Sequence, residues 1–137
     1  MNNATDFSKL TATLDHNPGA DRATVAAVGA DLDVILPPDY VDFLAYSNGA
    51  EGPMGTWAYI KLWAADDLVR DNEGYDVRKL APGLLLFGSD GADTAFGFDF
   101  RSQPPEVVTL PFIGLKVDEI EVRDSTFTAF LERLGES

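Results

Sequence analysis

The chain has 137 residues, with 10 lysines and arginines against 23 aspartates and glutamates, a formal net charge of −13 at pH 7. That length suits one domain and buries enough surface to fold without covalent staples. There is no cysteine, which excludes disulfides, zinc–thiolate sites, iron–sulfur clusters and thiol nucleophiles.

The opening MNNATDFSKL lacks a basic stretch followed by an apolar run, so no secretory signal is expected. The longest apolar run, LLLF, falls far short of the ~20 residues of a membrane span. A soluble, cytoplasmic protein is the expectation. Residues 23–60 hold Asp31, Asp33, Asp39, Asp42 and Glu51 and no base; residues 80–100 hold Asp90, Asp93 and Asp99, again with no base. Such a field repels phosphate backbones and anionic bilayers, so neither nucleic acid nor membrane is expected as a partner. The acid either confers solubility or attracts a basic protein.

In chain order, the Asn-Pro break in HNPG (16–19) ends a first helix predicted across about 6–15, leaving the lone His16 as a solvated loop residue. Asp21 is placed to cap a second helix reaching Gly29 or Ala30, with Val25 and Val28 on one face. ILPPDYVDFLAYSNG is the clearest helix. Its prolines suit a first turn that needs no N–H, and Asp39 meets the positive end of the dipole. Tyr40, Phe43 and Leu44 form an apolar stripe, and Asn48-Gly49 stops the helix.

A glycine-rich loop leads to WAYIKLW (57–63), a strand with Ala58, Ile60 and Leu62 on one face and Trp57, Tyr59, Lys61 and Trp63 on the other. A short helix around 65–72 follows. LLLF (84–87) is apolar on both faces, as a covered central strand is, and AFGFDF alternates Phe96, Phe98 and Phe100 against Gly97 and Asp99. EVVTL (106–110) and DEIEV (118–122) read as further strands. The last helix, with Asp124 or Ser125 as cap, carries Phe127, Phe130, Leu131 and Leu134 at helical spacing and stops at Gly135. Helices at both ends around a run of strands predict an α+β fold: an antiparallel sheet wrapped by helices.

FGSDGADTAFGFDF (87–100) packs three aspartates among glycines and invites a chemical reading. A calcium loop starting at Asp90 needs oxygen ligands where Ala92 stands, glycine where Ala95 stands and glutamate where Arg101 stands, so the pattern fails. No nucleophile, base or phosphate-loop motif accompanies the carboxylates. No metal, cofactor or catalysis is expected. A tight hairpin turn accounts for the stretch: Asp-Gly tolerates positive φ, and Gly88 and Gly97 allow close approach to the sheet. The turn displays Asp90 and Asp93 at a tip.

LPPDYVDFLAYSNGAEG (36–52) resembles the Leu-Pro-x-Asp-Tyr…Asn-Gly-x-Glu-Gly segment of the SUKH superfamily, the Smi/Knr-like proteins. IKLWAADDLVRDN (60–72), LLLFGSDGADTAFGFDF (84–100) and DSTFTAFLERL (124–134) are similar to the strand and acidic helix, the hairpin and the terminal helix of that superfamily. The order matches across about residues 21–134, although 101–123 match poorly. Ala64 and Ala65 stand where the superfamily often has a polar helix cap. The resemblance implies a non-enzymatic binding domain, in bacteria chiefly an immunity protein that neutralises a toxin domain, often a nuclease. The alternative is a regulatory or scaffold module binding a signalling or cell-wall partner.

On the immunity reading the partner is a basic toxin domain. The candidate contacts are the acids Asp39, Asp42, Glu51, Asp90 and Asp93, in base-free stretches near turns or helix starts. Trp57, Tyr59 and Trp63 are candidate anchors if their face is open, whereas burial beneath a helix is the plainer expectation for them.

Overall fold

The computed structural model describes residues 5–136. Helices α1 (Phe7–Leu10), α2 (Arg22–Asp31) and α3 (Pro38–Tyr46) come first, with a two-residue strand β1 (Asp15–His16) between the first two. Then come β2 (Ala50–Met54), β3 (Ala58–Leu62), α4 (Ala65–Gly74), α5 (Val77–Leu80), β4 (Leu84–Ser89), β5 (Thr94–Asp99) and β6 (Glu106–Pro111). A 3-10 turn at Val117–Glu119, β7 (Val122–Asp124) and α6 (Phe127–Gly135) close the chain. The seven strands form one sheet in chain order, each antiparallel to the next. The α+β expectation holds.

Period-two alternation sends side chains to two different cores. On one face Ile60, Leu62, Leu85, Phe87, Phe96, Phe98 and Val107 meet the apolar stripes of α2, α3 and α6. The contact is largely aromatic: Phe87 and Phe98 ring centroids lie 4.7 Å apart, Tyr40 and Phe98 5.0 Å, Phe96 and Phe130 4.9 Å. On the other face Leu84, Leu86, Ala95, Val108 and Leu110 are covered by Val77, Ala81 and Leu115. Gly88 and Gly97 are needed for close approach. A Cβ on Gly88 would lie 2.5 Å from the Lys61 carbonyl oxygen, and one on Gly97 2.7 Å from that of Leu85.

β3 and β4 pair where Lys61 and Leu62 face Ser89 and Gly88, the Trp63 N–H adds one bond to the Phe87 carbonyl at 2.9 Å, and the chain then turns into α4. The β4 backbone would be left open there, and Asn72 of α4 fills the gap. Its Oδ1 accepts the Leu86 N–H at 2.9 Å, while its Nδ2 donates to the carbonyls of Leu86 at 2.9 Å and Leu68 at 2.8 Å. A side-chain amide thus does for Leu86 what a neighbouring strand would do.

Asp99, the third aspartate of the glycine-rich stretch, is buried in a structural network. It accepts the Arg101 backbone N–H at 3.0 Å, Arg101 Nε and Nη2 at 2.9 Å each and Arg123 Nη1 at 3.1 Å. Hydrogen bonds from Arg101, aided by Arg123, pull its pKa down to about 2.

Several expected boundaries differ. The first helix is Phe7–Leu10, not 6–15, because Leu14 turns into the core and Asp15–His16 pair with β2 at the sheet edge. His16 is therefore an exposed edge-strand residue, with its Nε2 2.8 Å from Thr11 Oγ1, and not a loop residue. Asp21 precedes α2 but makes no side-chain cap. The glycine-rich loop contains β2, whose pairing with β3 supplies the order that its composition hides. DEIEV starts in the 3-10 turn Val117–Glu119, and the strand begins only at Val122, which lies opposite Thr109. Thr126 caps α6, accepting the Ala129 N–H at 3.0 Å, while Asp124 stays in β7 and binds Arg133. The cap missing at Ala64 and Ala65 comes from afar: Asn48 Oδ1 accepts the Ala65 N–H at 2.7 Å.

Candidate functional site

The β2–β3 hairpin follows from its own alternation. Pairing of Glu51 with Lys61 and of Pro53 with Tyr59 drives Ile60 and Leu62 into the aromatic core and turns Tyr59 and Lys61 the other way. The cover of that second face, α5 and the residues after β6, packs on β4, β5 and β6. Among the described residues nothing comparable lies over β2 and β3. Trp57, at the hairpin turn, is 87% exposed and Tyr59 is 42% exposed. Burial beneath a helix, the plainer expectation for these rings, is overturned for both. Trp63 lies past the strand and is half-buried, stacking on Tyr75 at 6.0 Å, and Tyr75 in turn meets Phe112 at 4.7 Å. It belongs to the covered part of the face.

Tyr59 is held in place. Its hydroxyl donates to Glu51 Oε2 at 2.6 Å. That bond, reinforced by the charges of Glu51 and Asp15, raises the phenol above its ordinary ionisation range. Asp15 pairs opposite Glu51, which extends the acidic row to the sheet edge. On its other side Tyr59 abuts the β4–β5 turn: a Cβ on Gly91, whose φ is +82°, would sit 3.3 Å from Tyr59 Cδ1.

The turn positions the next two acids differently. Asp90 Oδ1 accepts the N–H groups of Ala92 at 2.9 Å and Thr94 at 3.1 Å, so this carboxylate builds the turn it was expected to decorate. Asp93 is exposed, while its backbone carbonyl accepts the Phe112 N–H at 2.9 Å and anchors the tip. Glu51 and Tyr59 thus lie on one face of the sheet with the β4–β5 turn against Tyr59, and Trp57 stands at the β2–β3 turn.

Asp39 and Asp42 lie on α3, on the helical side. Asp39 Oδ2 accepts both the backbone N–H and the hydroxyl of Thr128 at 2.9 Å, locking α3 to the start of α6. Asp42 pairs with Arg22 at 2.9 Å in solvent. The fold does not bring these two acids to the aromatic face.

Ile35 escaped the sequence reading. It is 91% exposed between α2 and α3. Its signal was the apolar DVILPP run standing just beyond a helix stop, where a loop is normally polar. Among the described residues no group of three or more His, Asp or Glu side chains is arranged to hold a metal ion, and no helix is long and apolar enough to cross a membrane.

A search of curated proteins finds no match to the chain. The model of the SMI1 / KNR4 family (SUKH-1) matches residues 19–133, from the segment before α2 into α6. With most of its length accounted for by that one model, the chain belongs to the SUKH-1 family.

Proposed function

We propose that this protein is a non-catalytic, cytoplasmic immunity protein that neutralises a basic toxin domain by binding it. The observation that carries the reading is the β2–β3 hairpin: two rings left open to solvent, Trp57 at its turn and Tyr59 bonded to Glu51, with Asp15 opposite Glu51. Rigid aromatic side chains provide contact area at low entropic cost. Carboxylates around them suit a cleft lined by arginine and lysine, as in enzymes that act on nucleic acid. Membership of the SUKH-1 family supports the same class of role. No reaction is part of the proposal. The lone imidazole, His16, lies 2.8 Å from the hydroxyl of Thr11, which is buried and donates its proton to the Phe7 carbonyl.

The test is recovery of the tagged protein from its own cells at low and high salt, with identification of what accompanies it. The expected result is a basic toxin-domain protein that is retained less well as salt rises and whose toxicity is relieved by co-expression of this chain. Trp57→Ala and Asp93→Lys should weaken that rescue. A host regulator or a wall enzyme in place of a toxin would overturn the immunity reading in favour of a scaffold.

A further inference from the structure

The loop between α2 and α3 holds a large apolar side chain in water and prevents its collapse. Asp33 adopts φ 60°, the left-handed residue that ends α2. The Asp33 N–H donates to the Ala30 carbonyl at 3.1 Å and the Val34 N–H to that of Gly29 at 3.0 Å, the paired bonds of a Schellman stop. Pro37 and Pro38 then fix the start of α3. Ile35 lies between these two constraints. A hollow opens on each side of it. One, of about 540 Å³, is walled by Pro38, Phe98, Pro104, Pro105 and Phe127; the other, of about 440 Å³, is walled by Val25, Gly29 and Val41. A fixed apolar post between two apolar hollows has the form of an interface hot spot whose ordering cost has already been met.

Charge selects the occupant. Asp31 and Asp33 precede Ile35, Asp39 follows it, and no base stands in residues 23–60. Arg22, which lines the smaller hollow, is neutralised by Asp42 at 2.9 Å. A second copy of this chain would bring the same acids face to face across a two-fold axis, which disfavours self-association. A cationic segment has no such penalty.

We propose that Ile35 and its two hollows form a second docking surface, on the helical side of the sheet, for a cationic partner segment that carries apolar side chains. The identity of the partner rests on the toxin-neutralising reading. The surface can be tested without that partner. Amide shifts of the isotope-labelled full chain are followed during titration with a short helical lysine–leucine peptide and with a lysine-only peptide of equal charge.

The lysine–leucine peptide should shift Gly29, Ile35, Leu36 and Phe127 in a saturable way, and the lysine-only peptide should not. Ile35→Asp should weaken that binding on the order of tenfold, as loss of a hot spot does, with thermal melting unchanged because the side chain is in solvent. Ile35→Ala provides a milder second variant. Shifts confined to Trp57, Tyr59 and Gly91, equal shifts with both peptides, or indifference to Ile35→Asp would overturn the proposal. So would a dimer in sedimentation that Ile35→Asp dissociates, since the occupant would then be a second copy. None of these failures affects the rescue test above, which stands or falls on the toxin.

Discussion

Two hairpins of one sheet meet opposite fates. In β4–β5 every residue from Leu84 to Ser89 is buried, and so are Ala95 to Asp99, because helices cover one face and α5 with the residues after β6 cover the other. In β2–β3 the same alternation places Ile60 and Leu62 in the core but leaves Trp57 and Tyr59 in water. Both hairpins carry aromatic residues with strong strand preference, so composition does not separate them. The separation comes from the second layer, α5 and the residues after β6, which ends before β3. The covered hairpin supplies the cohesion of the fold, and the half-covered one presents a surface.

Paired truncations test that contrast most directly. Phe87→Ala removes a ring packed against Tyr40, Phe98, Phe127 and Phe130 and should cost about 3–5 kcal/mol in denaturant unfolding. Trp57→Ala, an equally drastic change in side chain, should stay within about 0.5 kcal/mol of the parent. Similar losses at the two positions would mean that the β2–β3 face is covered after all.

Asn72→Ala comes next. It leaves the N–H and carbonyl of Leu86 buried without a partner, and about 2–4 kcal/mol should be lost. A loss confined to a few tenths would mean that water or a shifted β3 takes over the bonds. Hydrogen exchange at Leu86 distinguishes these outcomes, since it should accelerate in the variant.

Acid should act through Asp99. Its carboxyl titrates at about 2 in the folded chain, below the ordinary value of 3.8, so the unfolded chain binds its proton first as pH falls. The stabilisation is complete above the ordinary carboxylate range and is lost between roughly pH 4 and pH 2, and it amounts to about 2 kcal/mol. In Asp99→Asn that part of the acid limb of the stability–pH curve should be missing. At the open hairpin the expected effect is the smallest, and it concerns ionisation alone. The phenol of Tyr59 should titrate above its ordinary range by ultraviolet difference absorption and return towards it in Glu51→Gln, with melting unchanged.

Elements whose signal is local could be read before the fold was known. Pro37-Pro38 with Tyr40, Phe43 and Leu44, the alternating Phe96 and Phe98, and the stripe Phe127, Phe130, Leu131 and Leu134 each specify their own conformation through capping and periodicity. The turn at Asp90-Gly91 was legible for the same reason, as was the close approach at Gly88 and Gly97. That Asp39 holds Thr128 and Asp42 pairs with Arg22 was not legible, because charge along a chain does not say which carboxylate already has a partner in space.

The sequence by itself determined the α+β class, the order of most elements and the family, since these depend on local periodicity and motif order. Only the tertiary structure decided which side chains were spent within the molecule. Asn48 caps a helix 17 residues away, Asn72 replaces a strand, Asp99 disappears into an arginine pair, and Trp57 and Ile35 stay in water. Each of these outcomes depends on what another segment places, or fails to place, over the residue in question. No local pattern encodes that, because burial and hydrogen-bond pairing arise from contacts between segments far apart in the chain.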